Sequence, residues 1–189
     1  WDGFVYHMTS RGSRFNPMAG GAPGKDSPEW LHTTTKNMRN FIRKWGTMVK
    51  HDSLMKPIVV SKYDIGFIIK NCTENLLEIL EPWCSTIYID HSFDAKHYID
   101  KEQPNTLFDL GKKIQSIHGK KVNDILVEFD ATKLNQEQLN YIVQLPEIIT
   151  NEEEDLSTGE SGDKFELGIF KVTINKLKTY EEELIKCER

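Results

Sequence analysis

Three short apolar runs, at residues 63–69, 86–89 and 125–129, are separated by stretches whose apolar residues recur at helical spacing. This alternation limits the fold more than anything else in the chain. Tyr63-Asp64-Ile65-Gly66-Phe67-Ile68-Ile69 reads as a buried strand, Thr86-Ile87-Tyr88-Ile89 as a second and Ile125-Leu126-Val127-Glu128-Phe129 as a third. Between the first two, Thr73 is placed to cap a short helix that carries Leu76, Leu77 and Leu80 inward and stops at Pro82. Residues 91–105 are polar and read as irregular. Leu107, Leu110, Ile114 and Ile117 form an apolar stripe that predicts a helix over 106–117, closed by Gly119. A further helix is expected over 135–145, ended by Pro146. Residues 151–163 are acidic and read as an exposed loop. Residues 165–174 alternate and read as one long strand, and 180–185 as a short helix or edge strand.

Two successive strand–helix–strand units imply an α/β layer with parallel strands and right-handed crossovers. The expected fold class is α/β, with a mixed or mostly parallel sheet and flanking helices. An irregular N-terminal arm and one amphipathic helix precede it. In that helix Met38, Phe41, Ile42 and Trp45 share one face, and Lys36, Arg39, Arg43 and Lys44 fall mostly on the other. One of Thr33, Thr34 and Thr35 is the expected cap, and Gly46 the stop. Residues 16–28, punctuated by proline and glycine, read as a surface loop or lid. Lys56-Pro57 marks a boundary before the sheet begins.

Charge divides the chain. Residues 1–60 hold nine Lys/Arg against four Asp/Glu, and the remainder fifteen against twenty-five. The basic third suits an anionic partner such as a diphosphate. The acidic remainder and the lack of a recognised motif argue against nucleic acid. No apolar run approaches the roughly 18 residues of a membrane span, so no membrane partner is expected. Three widely spaced cysteines without a CxxC pair fit reduced thiols in a cytoplasmic setting. GxSxG, GxxxxGK[ST], GxGxxG and HExxH are all absent, which argues against the enzyme classes that those motifs mark.

The chemistry-bearing residues lie mainly at the start. Phe4-Val5-Tyr6-His7 brings an imidazole, a ligand that suits divalent metals, to the end of an apolar run. Arg11-Gly12-Ser13-Arg14 follows, with guanidinium forks that match phosphate oxygens and a glycine that lets backbone amides approach an anion. Asp90, His91, Asp94 and His97 follow the second strand, but their spacing fits no recognised metal site and reads as a polar loop. Asp124, Glu128 and Asp130 surround the third strand, and a paired-carboxylate hydrolase would need two of them at a fixed separation.

Residues 1–15, through Phe4-Val5-Tyr6-His7 and Ser10-Arg11-Gly12-Ser13-Arg14, resemble the closing segment of the catalytic domain in family-2-like glycosyltransferases of the GT-A fold. Asn40-Phe41-Ile42-Arg43-Lys44-Trp45-Gly46, Lys50-His51-Asp52 and Lys62-Tyr63-Asp64-Ile65-Gly66 are similar to predicted glycosyltransferases of viral or phage type. The resemblance implies that His7 helps to hold a divalent metal, Mn or Mg, that bridges a nucleotide-sugar diphosphate. It implies that the loop with Arg11, Ser13 and Arg14 closes over that diphosphate. It also implies a host cytoplasmic location if the source is viral. In the family the Asp-x-Asp metal motif lies upstream of the closing histidine. The chain is therefore expected to be the C-terminal portion of a longer transferase and inactive alone. Residues 1–56 would be the tail of a catalytic core with a loop and basic helix, and 57–189 an α/β accessory domain. The other expectation is a non-catalytic α/β binding or assembly module that meets a protein partner through 57–189.

Overall fold

A computed structural model describes residues 28–90, 95–155 (without the side chains of 152–155) and 163–177. The chain divides into two compact units, Trp1–Arg39 and Asn40–Arg189. The expectations for 16–27 and 180–185 lie outside the described residues.

Helix α1 spans Pro28–Trp45 and is the described part of the first unit as far as Arg39. It begins earlier than the threonines predict. Pro28 opens it with a preset φ, and Glu29 complements the exposed amides of its first turn. Its last turns belong to the second unit. There Gly46 turns back at φ +74°, its N–H donating to the Ile42 carbonyl at 2.7 Å. Lys62 Nζ donates to the carbonyls of Arg43 and Lys44, both at 2.9 Å, and so caps the helix end.

A two-stranded hairpin follows, β1 (Lys50–His51) and β2 (Pro57–Ile58). The main sheet then holds six strands in the order β5-β4-β3-β6-β8-β7. Strands β3 (Ile65–Lys70), β4 (Thr86–Ile89), β5 (Ile114–Ser116) and β6 (Ile125–Asp130) run parallel. Strands β7 (Asp163–Leu167) and β8 (Phe170–Ile174) complete it antiparallel to their neighbours. The α/β class and mixed sheet are thus as the sequence implies, and the Thr73 cap is present: its side chain accepts the Leu76 N–H ahead of α2 (Glu74–Leu80).

Four local expectations are corrected. The segment read as irregular contains α3 (Lys96–Glu102), which buries Tyr98. The helix expected over 106–117 is a single turn, α4 (Leu110–Lys113), capped by Asp109, and Ile114 then enters β5. Pairing with β4 outweighs the helical period there, and Leu107 is left fully exposed. Pro146 does not end α5, which runs Gln136–Asp155 and carries its helix into the segment read as an acidic loop. Burial of Ile142, Leu145 and Ile149 offsets the one backbone bond that proline removes. The strand expected over 165–174 is the β7–β8 hairpin, which reverses at Gly168 with φ +60°.

The core is continuous. Ile125, Val127 and Phe129 of β6 point into it beside Ile65, Phe67 and Ile69 of β3, and α2 and α5 add Leu77, Leu80, Ile142 and Ile149. Phe129 meets Phe67 and Phe170 edge-on, at ring separations of 6.0 and 5.0 Å. Each fully buried aliphatic or aromatic side chain contributes about 1.5–3 kcal/mol. Near the other ends of the strands, Asn123 ties elements together: Tyr88 donates to its Oδ1 at 2.8 Å, and its Nδ2 donates to Asp64 at 2.6 Å. Gly66 leaves the room for it, since a Cβ there would stand 2.4 Å from Asn123 Oδ1.

Candidate functional site

Strand β3 is followed in the chain by β4 and β5 on one side, and then by β6 on its other side. The order reverses between β3 and β6, and open α/β sheets take ligands at the carboxyl ends of such a pair. Those ends are Lys70 and Asp130, which face each other in register. Asn71 comes next, in the left-handed region at φ 56°. Its N–H donates to Asp90 Oδ2 at 2.6 Å and its Nδ2 to Asp130 Oδ1 at 3.1 Å, so one residue joins the ends of three strands. Asp130 also accepts from the Thr132 N–H and hydroxyl. The Asn71 side chain and then Thr132 hold the Asp130 carboxyl below its ordinary range.

An open depression of about 390 Å³ lies beside this rim, lined by Lys70, Glu128, Asp130, Lys133, Glu166 and Lys171. Strand alternation sends every second residue of β6, β8 and β7 away from the core. Register sets Glu128 opposite Lys171, and Lys171 opposite Glu166. Lys70 Nζ reaches Glu128 Oε1 at 2.7 Å, and that bond holds the Lys70 ammonium above its ordinary range. The result is a row of alternating sign across four strands. Lys133 and Lys171 form no ion pair among the described residues.

His7, Arg11, Ser13 and Arg14 lie outside the described residues, as do His91 and Asp94. Asp90 is engaged by Asn71, and His97 Nδ1 lies 2.7 Å from Glu74 Oε1. Asp124 and Asp130 stand at opposite ends of β6, about 20 Å apart by strand rise, so they are no catalytic pair. Among the described residues no three His, Cys, Asp or Glu side chains converge as a metal site would require. No described helix is long and apolar enough to cross a membrane.

The densest convergence of charge among the described residues involves none of those that the sequence marks as a candidate site. Arg43, placed by its spacing on the solvent side of α1, is 4% exposed. Its guanidinium donates to Glu81 through Nε and Nη2 and to Glu102 through Nη2. Glu81, wholly buried, also takes Lys113 Nζ at 2.7 Å and the Tyr98 hydroxyl at 2.9 Å. Burial works against the Glu81 carboxylate, but Lys113 and Arg43 outweigh it and hold the carboxyl down to about 2. Two cations and two anions balance, and they tie the last turn of α1 to α3, α4 and the turn that follows α2. Every group is partnered, which makes this a structural cluster rather than a ligand site.

No protein family matches the chain, and neither the curated proteins nor the solved structures hold a significant match. The fold and the rim define it as an α/β unit with a polar crevice at its strand-order reversal.

Proposed function

We propose that the sheet-bearing unit is a non-catalytic binding module, and that its ligand site is the depression at the carboxyl ends of β3 and β6. The observation that carries this reading is the convergence around the open depression of Lys133 and Lys171, which form no ion pair among the described residues, with Glu166. Cations and an anion side by side suit a polypeptide segment or other ligand that carries both charge signs. The three dispersed cysteines favour a cytoplasmic setting for it.

A Glu-Lys dipeptide titrated into the full chain provides the probe. Amide resonances of residues 130–133 and 168–171 are expected to shift, and to stay fixed in Lys171→Glu. Shifts that are absent, or that gather elsewhere, refute the site.

A second reading is favoured by the resemblance of residues 1–15 to the glycosyltransferase tail. In it the module is the accessory part of a metal-dependent sugar transferase, and His7 with Arg11, Ser13 and Arg14 contacts the metal and diphosphate of a nucleotide-sugar donor. Nucleotide-sugar hydrolysis by a longer protein that contains this chain is expected to fall in His7→Ala. Unchanged hydrolysis ends that role.

A further inference from the structure

The β1–β2 hairpin and the residues that flank it expose six large apolar side chains between positions 48 and 59. Leu54 and Met55, adjacent at its tip, are 73% and 72% exposed. Behind them Val49 and Val59 are 70% and 80% exposed, and Met48 and Ile58 are also open to solvent. Apolar side chains scattered singly need no explanation, but Met48, Val49, Ile58 and Val59 line one depression and Leu54 and Met55 stand at the tip of the same hairpin, and such a set marks a surface that something else covers.

The tip is held firmly. Asp52 Oδ1 accepts the N–H groups of Leu54 and Lys56, and the Asp52 N–H donates to the Lys56 carbonyl. Met55 is kept at φ 63°, a conformation that unbranched side chains adopt only when the surroundings impose it. The fold thus sustains local strain while presenting two large apolar side chains to water.

Shape and charge select the occupant. Leu54 and Met55 project from a turn, where a protein partner would have to offer a matching cavity and a bilayer would not. The charges nearby are mostly positive. Lys44 and Lys56 are exposed; Glu147 is tied to Lys50, and Asp52 accepts the N–H groups of the turn. Lys44 Nζ lies 5.0 Å from the ring centroid of half-buried Trp45. An indole with an ammonium above it is a combination suited to the boundary between hydrocarbon and headgroups.

We infer that the β1–β2 hairpin docks this chain onto an anionic lipid surface, with Leu54 and Met55 entering the acyl boundary and Lys44 and Lys56 meeting the headgroups. The sequence expectation of no membrane partner rested on the lack of a spanning segment, and interfacial docking needs none. This inference is independent of the crevice at the other end of β3.

Flotation of the full chain with vesicles tests it. Vesicles of phosphatidylcholine alone are compared with vesicles that also contain phosphatidylserine, at low and high sodium chloride. The chain is expected to float with the anionic vesicles only and to be released by salt. Lys56→Glu is expected to weaken partition at least about fivefold. The double substitution Leu54→Glu and Met55→Glu is expected to abolish it while leaving the melting temperature and circular dichroism unchanged. Equal partition to both vesicles, partition indifferent to either variant, or no partition at all overturns the inference. So does self-association in sedimentation velocity that the double variant removes without any vesicle binding, which would assign the hairpin to a second copy of the chain.

Discussion

Arg43 and Glu81, 38 positions apart in the chain, meet inside the protein. Nη2 lies 2.6 Å from one carboxylate oxygen, and Nε lies 3.1 Å from both. The Arg43 side chain is 1% exposed and that of Glu81 not at all, so water screens neither. Removing one partner leaves an uncompensated buried charge, which costs about 3–5 kcal/mol. Glu81→Ala takes the shared carboxylate from Arg43, Lys113 and the Tyr98 hydroxyl at once, whereas Arg43→Ala takes one cation from Glu102 and one from Glu81, which keeps Lys113. Urea unfolding is therefore expected to place Glu81→Ala below Arg43→Ala in stability, and both well below the parent chain.

Acid acts on the same carboxylate. Its folded value of about 2 lies below the ordinary 4.5, so the stabilisation is complete above about pH 4.5 and is lost as pH falls toward 2. The amount at stake is roughly 3 kcal/mol. Unfolding free energy measured across that window is expected to fall steeply in the parent chain. The fall should be shallower by about that amount in Glu81→Gln, whose stability is lower at neutral pH.

Gly66 is required by a neighbour rather than by its own backbone angles. A methyl group there would meet Asn123 Oδ1 at 2.4 Å, inside a network that holds Tyr88 and Asp64. Gly66→Ala is expected to destabilise by about 1–3 kcal/mol, the range for overpacking a filled interior. Adding Asn123→Ala relieves the clash but frees Tyr88 and Asp64 from their partner, so the double variant should recover only part of the loss. Thermal unfolding of Gly66→Ala and of the double variant checks this.

Cys72 and Cys84 are buried, and burial first of all pushes both thiols up to about 12. Few thiolates exist at either position near pH 8. Peptide mapping after brief iodoacetamide treatment is expected to find both unmodified in the folded chain and both modified in urea. Rapid labelling of either in the native protein would contradict the packing around it.

The sequence revealed those elements whose signal is local. Ile65, Phe67 and Ile69, like Ile125, Val127 and Phe129, announce strands by composition, and Thr73 announces a cap by its place before Leu76 and Leu77. Most of the failures share a cause, which is distance along the chain. Arg43 looks solvent-facing until Glu81 and Glu102 are brought to it. Ile114 continues a helical stripe until β4 offers it a strand to pair with. Pro146 looks like a stop until burial of Ile149 carries the helix past it. Gly168 was a visible signal for a reversal within 165–174, outweighed there by clean alternation. At the rim, Glu128 and Asp130 were visible as acids around a strand. Lys70, Lys133 and Lys171 join them only through strand order, which no single segment encodes.

Arg43, Glu81, Glu102 and Lys113 also limit how this chain can diverge. Any lineage that loses one of the four inherits a stranded charge until a second change neutralises it, so single steps away are selected against and paired steps are not. Homologues should therefore keep the quartet intact or replace it together by hydrocarbon. Joint change at these scattered positions would be a sharper criterion for recognising distant kin than similarity along any continuous stretch.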